Sequence, residues 1–269
     1  MNDLDEVAAT YPGFNPKGSV CVITGGSSGI GKALVNELKK REAKIIIIAD
    51  INLINDNTQK NIKSYKVDVG NNIEMKRFID NVYDEFGTID LFCANAGVAT
   101  DDDATASNEH WEKVWKVNVA QHTHAARECI PRMINKGSGW FLITASAAGL
   151  LSQVGSATYS TTKHAAVGFA EWLAITYGDQ GIGVSLLCPQ GVRTAMTAKM
   201  DNGGIAGIDG MLEPEDVAKF TINGMIKGKF LITPHMIVRE YQKKKASNPE
   251  RWIKGMRKLY KKFGNLFDN

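Results

Sequence analysis

Residues 19–41 read SVCVITGGSSGIGKALVNELKKR. Ser19 to Thr24 is a short, almost wholly apolar run that suits a strand covered on both faces. From Lys32 onward, apolar and polar residues alternate with helical spacing. Gly25, Gly29 and Gly31 lie directly between the two. Glycines at such a join allow a tight turn and let backbone come close to a pyrophosphate. The helix that follows aims free N–H groups and the positive end of its dipole at that anion. A strand–turn–helix of this kind predicts nucleotide binding, against the plainer reading of a structural turn.

The same alternation continues on both sides of this unit. AKIIIIAD (43–50) and SYKVDV (64–69) read as strands, then NIEMKRFIDNVYDEFG (72–87) as a helix and IDLFCANAG (89–97) as a strand. A long helix around Glu109 to Met133 leads to the strand GWFLITAS (139–146). A helix beginning near Tyr159 follows, then the strand GVSLLCPQG (183–191), and GKFLITP (228–234) reads as a last edge strand. Alternating strands and helices, with near-continuous apolar strands, predict one α/β domain. It has a doubly wound parallel sheet and helices on both faces. The expected division is an N-terminal extension (1–17), a dinucleotide-binding and catalytic domain (18–235) and a basic helical extension (236–269). No internal repeat or low-complexity tract interrupts it. Gly203 to Gly210 is glycine-rich and reads as a mobile loop.

Composition narrows the class. Of 269 residues, 43% are hydrophobic and 23% charged, as in ordinary globular chains with a sizeable core. A net charge of +3, with no aromatic-and-basic stripe through the body, does not ask for nucleic acid. The longest apolar run, Ile45 to Ala49, is too short to cross a bilayer. The acidic start MNDLDEVAAT lacks the order of a signal peptide. Cys21, Cys93, Cys129 and Cys188 form no CxxC and read as buried hydrophobes in a reducing, cytoplasmic compartment. His122 and His124 are two apart on a helix and face different ways, so no metal site is expected.

Asp50 closes the second strand, nineteen residues after Gly31. An acid there hydrogen-bonds adenosine ribose hydroxyls and repels a 2′-phosphate, and no arginine stands near to hold one. NAD is therefore expected, with NADP left open. Gly25 to Gly29 also fits G-x-S-x-G, the nucleophile elbow of a serine hydrolase. That reading needs a late histidine, for which His235 is the one candidate, and it leaves Gly31 and the tyrosine–lysine pair unexplained. YSTTKHAAVGFAEW (159–172) has an apolar face from Val167, Phe169, Ala170 and Leu173, with no proline between Tyr159 and Tyr177. Tyr159 and Lys163 then point a phenol and an ammonium to the same side. A cation one turn away favours ionisation of a phenol whose ordinary pKa is near 10.

TGGSSGIG (24–31), NAG (95–97), Asn118, Ser146, YSTTK (159–163) and PQG (189–191) stand in the order and spacing of a short-chain dehydrogenase/reductase. The chain resembles that family over about residues 18–195. The resemblance implies a Rossmann-like fold and reversible hydride transfer between a nicotinamide cofactor and an alcohol or carbonyl. It implies Tyr159 as acid/base, Lys163 as its cationic partner and a holder of the nicotinamide ribose, Ser146 as hydrogen-bond donor to the substrate oxygen, and Asn118 as holder of a relay water. The cofactor contacts it implies are Gly25, Ser27, Ser28, Gly29, Ile30, Gly31, Asp50, Asp68, Val69, Asn95, Ala96, Gly97, Tyr159, Lys163, Pro189, Gly191, Val192 and Thr194. A non-catalytic nucleotide sensor would not need the full Ser146–Tyr159–Lys163–Asn118 set.

The chain departs from the family in three places. Asp50 falls one residue after the usual acidic position, held here by Ala49; Gln190 is inserted in the usual PG turn; and the C-terminal DGG ending is missing. The substrate is expected to be a small or medium hydrophobic alcohol or ketone, read by residues 195–212. Met196, Met200, Ile205, Ile208, Met211 and Leu212 make that segment an adaptable apolar lid. The acidic Asp101–Asp103 run reads as a solvated loop. Residues 239–262 are strongly basic, with Trp252, Met256, Leu259, Tyr260 and Phe263 at helical spacing. Packing of that helix on its own domain or a second subunit is favoured over contact with an anionic membrane. A homodimer or homotetramer is expected.

Overall fold

The computed structural model describes residues 9–52, 60–198 and 201–263. Seven strands form one parallel sheet: β1 (Val20–Thr24), β2 (Ile45–Asp50), β3 (Ile62–Lys66), β4 (Leu91–Ala94), β5 (Gly139–Thr144), β6 (Ile182–Leu187) and β7 (Leu231–Ile232). Their order is β3-β2-β1-β4-β5-β6-β7, and every pair is parallel. The chain winds outward from β1 one way and from β4 the other, so a crevice opens between those two strands at their C-terminal ends.

Burial explains the apolar runs. Every residue of β1, β4 and β6 is buried, whereas the edge strand β3 is not. Helices cover both faces, and each Ile, Val or Leu taken out of water contributes roughly 1.5–3 kcal/mol. Phe92 on β4 and Phe141 on β5 are cross-strand partners, and their rings stack 5.3 Å apart in the middle of the sheet. The four cysteines are buried and free.

The helices are α1 (Gly29–Lys40), α2 (Asn72–Phe86), α3 (Asn108–Trp115), α4 (Gln121–Lys136), α5 (Ala148–Leu151), α6 (Ala157–Tyr177), α7 (Pro214–Ile226), α8 (Ile237–Ser247) and α9 (Pro249–Phe263). A π-helical turn, Lys116–Ala120, joins α3 to α4 where the sequence reads as one helix. Such turns widen a helix locally and re-aim side chains.

Three segments differ from expectation. Tyr11 and Phe14, in the expected N-terminal extension, lie in the core with their rings against Trp140, and Thr10 and Tyr11 donate to the Gly228 carbonyl. Aromatic area of that size is not left in water when the sheet end offers a seat. The glycine-rich run expected to be a mobile loop contains a 3-10 helix, Asp201–Gly207, because Met211 packs into the space beside Gly203 and Gly191. Asp102, expected in a solvated loop, is buried to 7% side-chain exposure and accepts from Thr158, Thr100 and His110.

Candidate functional site

The glycine-rich turn leaves β1 and enters α1. Gly25 has φ +64°, a conformation that favours glycine. A Cβ on Gly31 would sit 2.1 Å from the Gly25 carbonyl oxygen, so only glycine lets α1 close onto the turn. Ser28, the N-cap of α1, makes no side-chain capping bond, and no acid stands in the first turn. In α2 and α3, by contrast, first-turn N–H groups donate to the capping side chains of Asn71 and Ser107. The start of α1 therefore keeps bare N–H groups and a positive dipole end facing the crevice.

Asp50 stands at the side of that turn. Its carboxylate accepts from the Ser27 amide at 3.1 Å and from the Asn52 amide at 3.0 Å. A carboxylate has about four lone-pair sites, so room remains for sugar hydroxyls. Asp68 accepts from the Gly70 amide at 2.9 Å and closes the far side.

A buried polar lattice fixes the NAG turn. Thr24 Oγ1 accepts from the Asn95 amide at 2.9 Å and the Ala96 amide at 3.0 Å, and donates to Gln121 Oε1 at 3.0 Å. Gln121 Nε2 donates in turn to the Ala96 and Val117 carbonyls. Asn118, turned inward by the π-helical turn, accepts from the Val98 amide at 2.9 Å and donates to the Val98 carbonyl at 3.0 Å and to Thr162 Oγ1 at 3.1 Å. Its side chain is thus occupied in tying the NAG turn to α6. Thr24, Gln121 and Thr162 complete this lattice. Sequence reading overlooks them, since a buried Thr or Gln has no spacing that separates it from an ordinary core residue.

Lys163 and Tyr159 share one side of α6, as their spacing requires. The Lys163 ammonium lies 5.6 Å from the centre of the Tyr159 ring and donates to the Thr144 carbonyl at 3.0 Å. It is 3% exposed, and loss of water lowers its pKa to about 8. Burial raises the Tyr159 phenol above its ordinary range, while the Ser146 side chain, hydrogen-bonding to it, pulls it back. In this arrangement the phenol is governed by desolvation and by Ser146. Ser146 Oγ accepts from the Ala148 amide at 3.1 Å. Its own proton has the Tyr159 oxygen and, at 3.5 Å, the Pro189 carbonyl as acceptors.

One cleft of about 1060 Å³ joins these parts. Its walls include Gly25, Ser28, Gly29, Ile30, Asp50, Asp68, Val69, Asn95, Ala96, Gly97, Ser146, Tyr159, Lys163, Pro189, Val192 and Thr194. Four expected site residues stand behind the wall: Ser27, Gly31, Gly191 and Asn118. Gly31 and Asn118 shape the turns in front of them, and Gly191 leaves room for Met211 and the Ala206 carbonyl. Thr194 reaches back across the cleft, its methyl 3.1 Å from where a Cβ on Gly29 would be. Of the expected lid, Ala195, Met196 and Ala206 line the cleft; Ile205, Ile208, Met211 and Leu212 do not, and Met200 lies outside the described residues.

The inserted Gln190 is braced on both sides. His235 Nδ1 accepts from the Gln190 amide at 3.2 Å, and Nε2, which then carries the proton, donates to the Gly191 carbonyl at 3.0 Å. The Gln190 side chain donates to Asp209 at 2.8 Å. Ser27 Oγ donates to the Asn52 carbonyl at 2.7 Å. The serine and histidine that a hydrolase would need are committed to different backbone partners. Among the described residues no cluster of His, Cys, Asp or Glu could hold a metal ion.

A nucleotide cofactor fits this cleft: an uncapped helix start for its phosphates, a carboxylate beside the turn, and a buried lysine and phenol at the far end. Comparison with known proteins agrees with that reading. The family model for short chain dehydrogenase matches residues 19–203. The chain is 31% identical over 220 residues to short chain aldehyde dehydrogenase 1 of Euphorbia lathyris, spanning 78% of this chain and 74% of that protein. It is also 31% identical over 188 residues to 3beta-hydroxysteroid dehydrogenase 2 of Eggerthella lenta, spanning 66% of this chain and 72% of the other. A solved short chain dehydrogenase/reductase from Burkholderia phymatum, in complex with NAD, superposes with a TM-score of 0.78. It is 26% identical and covers 88% of this chain and 96% of its own.

Proposed function

The chain belongs to the short chain dehydrogenase family of oxidoreductases, and on that premise we propose that it interconverts a secondary alcohol and a ketone of small or medium hydrophobic substrates using NAD(H). The observation that carries this reading is the convergence of Ser146, Tyr159 and Lys163 on one wall of the nucleotide cleft. Binding alone does not call for a phenol, a hydroxyl and a buried ammonium in one place.

Hydride donation or acceptance is the chemistry a nicotinamide would supply when held in this cleft. The rest falls to the chain. In the reducing direction the substrate oxygen seats between the Ser146 and Tyr159 hydroxyls. Ser146 donates a hydrogen bond to the oxygen, keeping its proton, as negative charge develops there. Tyr159 transfers its own proton to that oxygen, and the alcohol leaves. The phenolate that remains is stabilised by the Lys163 ammonium, held in place by the Thr144 carbonyl. Asn118 holds the Val98 backbone and α6 at a fixed separation, and its role as holder of a relay water is part of this proposal.

The first-turn N–H groups of α1 would hold the phosphates, Asp50 the adenosine ribose, and Thr194 and Val192 the nicotinamide end. The carboxylate of Asp50, with no arginine among the lining residues of the described chain, supports NAD over NADP. Val98, Ala99, Ala147, Ala148 and Met196 give the substrate end an apolar lining, which supports a hydrophobic substrate. Trp172 and Ile175, 52% and 84% exposed on α6, support a homo-oligomer, and four free buried thiols support a reducing, cytoplasmic location.

A panel of secondary alcohols and ketones, followed by nicotinamide absorbance with NAD(H) and NADP(H), tests the reading. Turnover with NAD(H) that falls by about 10²–10⁴ in Tyr159→Phe, with cofactor affinity retained, is the expected result. Equal turnover in Tyr159→Phe would refute the assigned chemistry.

A further inference from the structure

Helix α9 packs only part of its apolar arc. Along one edge Trp252, Met256, Leu259 and Phe263 are half-buried, and the Trp252 ring lies 6.0 Å from Tyr241 of α8. Along the other edge Ile253 and Tyr260 are 57% and 50% exposed. Continuing around the helix from that open edge come Arg257, Lys261 and Lys254, all exposed. The helix holds six lysines and arginines against one glutamate, and α8 before it adds Lys243, Lys244 and Lys245. No helix among the described residues is long and apolar enough to cross a membrane.

An exposed apolar pair beside a continuous cationic band asks for a partner that is negative at its surface and apolar just beneath. A second copy of this chain fits poorly, because a two-fold pairing through α9 would set the same cations against each other. A bilayer of anionic phospholipid meets both demands. We propose that α9 is a docking surface for an anionic phospholipid bilayer. Ile253 and Tyr260 enter the boundary between headgroups and acyl chains, and Arg257, Lys254 and Lys261 pair with lipid phosphates.

Docking there is joined to the cleft. Tyr241, which packs on Trp252, donates to Asp209 at 3.0 Å, and Asp209 accepts from Gln190 on the cleft wall at 2.8 Å. Lys245 of α8 donates to the Leu150 carbonyl at 2.7 Å, four residues past Ser146. The lipid-facing helix is thus braced against the segments that border the substrate end.

The test is co-sedimentation of the full chain with vesicles of phosphatidylcholine alone and of phosphatidylcholine containing phosphatidylserine. The expected result is binding to the phosphatidylserine vesicles that weakens as salt rises, with little on phosphatidylcholine. The double change Arg257→Glu, Lys261→Glu should weaken it by at least about tenfold, and Ile253→Ser, Tyr260→Ser should weaken it as well. Both variants should keep turnover on a water-soluble substrate, which separates this surface from the assigned chemistry. Equal binding to both vesicle types, binding to neither, or full binding by the charge-reversed variant would overturn the proposal. So would a fall in oligomeric mass in the charge-reversed variant with no vesicle binding by the parent, which would assign the face to a second copy.

Discussion

Asp102 accepts a hydrogen bond from the Thr158 amide at 2.9 Å, one residue ahead of Tyr159. The same carboxylate takes the Thr158 and Thr100 hydroxyls and His110 Nε2 at 3.0 Å. The start of α6, where the N-cap Ser156 supplies no side-chain bond, is anchored by an acid from a distant loop. Tyr159 is placed by that anchor.

Removing the anchor should therefore cost both stability and turnover. Burial alone would raise the Asp102 carboxyl, but its hydrogen bonds from Thr158, Thr100 and His110 outweigh burial and hold it below the usual range. Its contribution is present above its unfolded pKa of 3.8 and fades as pH falls through the lower folded value. Asp102→Ala should lose about 2–4 kcal/mol at neutral pH in denaturant unfolding. Its kcat should drop at least about tenfold as Tyr159 loses its position.

On the proposed chemistry, Lys163 should set the upper pH limit of carbonyl reduction. Burial lowers its pKa to about 8, so the ammonium predominates at neutral pH and is lost as pH rises through 8. In the free enzyme, kcat/KM for ketone reduction should decline with that midpoint. A flat profile from pH 7 to 10 would contradict this role of the ammonium.

His122 should make the protein sensitive to mild acid. It is fully buried one turn after Asn118, and neither ring nitrogen has a well-formed hydrogen bond among the described residues. Burial first, then the nearby Lys163 charge, lower its pKa to about 3. The stability of the neutral ring is present above the unfolded value of 6.5 and is lost progressively as pH falls from there towards 3. Between pH 7 and 4.5 this group alone should remove roughly 2–3 kcal/mol. His122→Leu should lose correspondingly less over that interval in paired denaturant titrations.

Asp50 should govern cofactor choice. Asn in its place keeps one acceptor for the Ser27 amide yet removes the charge that repels a 2′-phosphate. Asp50→Asn should narrow the preference for NAD over NADP by about tenfold, read as the ratio of kcat/KM values. An unchanged ratio would move the discrimination elsewhere in the cleft.

Much of this architecture can be read before any coordinates. The apolar runs at Ile46–Ala49 and Leu91–Ala94 announce strands buried on both faces, because nothing else in a chain of this composition hides four such residues in a row. Asp50 lies at the end of β2 beside the glycine turn although it falls one place later than the family position. A carboxylate at a strand end can swing back to Ser27, so alternation of faces does not decide its reach. Asp102 shows the opposite case. Three aspartates in a row look like a solvated loop, and only the approach of α6 supplies the donors that make one of them a buried anchor.

The sequence by itself determined the parallel α/β order, the glycine cradle and the one-turn separation of Tyr159 from Lys163. Those depend on hydrophobic period, backbone sterics and helical geometry, all local. Tertiary structure decided that Asn118 braces Val98 and Thr162, that Thr24 and Gln121 hold the NAG turn, that Asp209 links Gln190 to α8, and that half of the apolar arc of α9 stays open. Each of these joins residues far apart in the chain, and a hydrogen bond or contact across such a distance exists only once the sheet has brought its partners together.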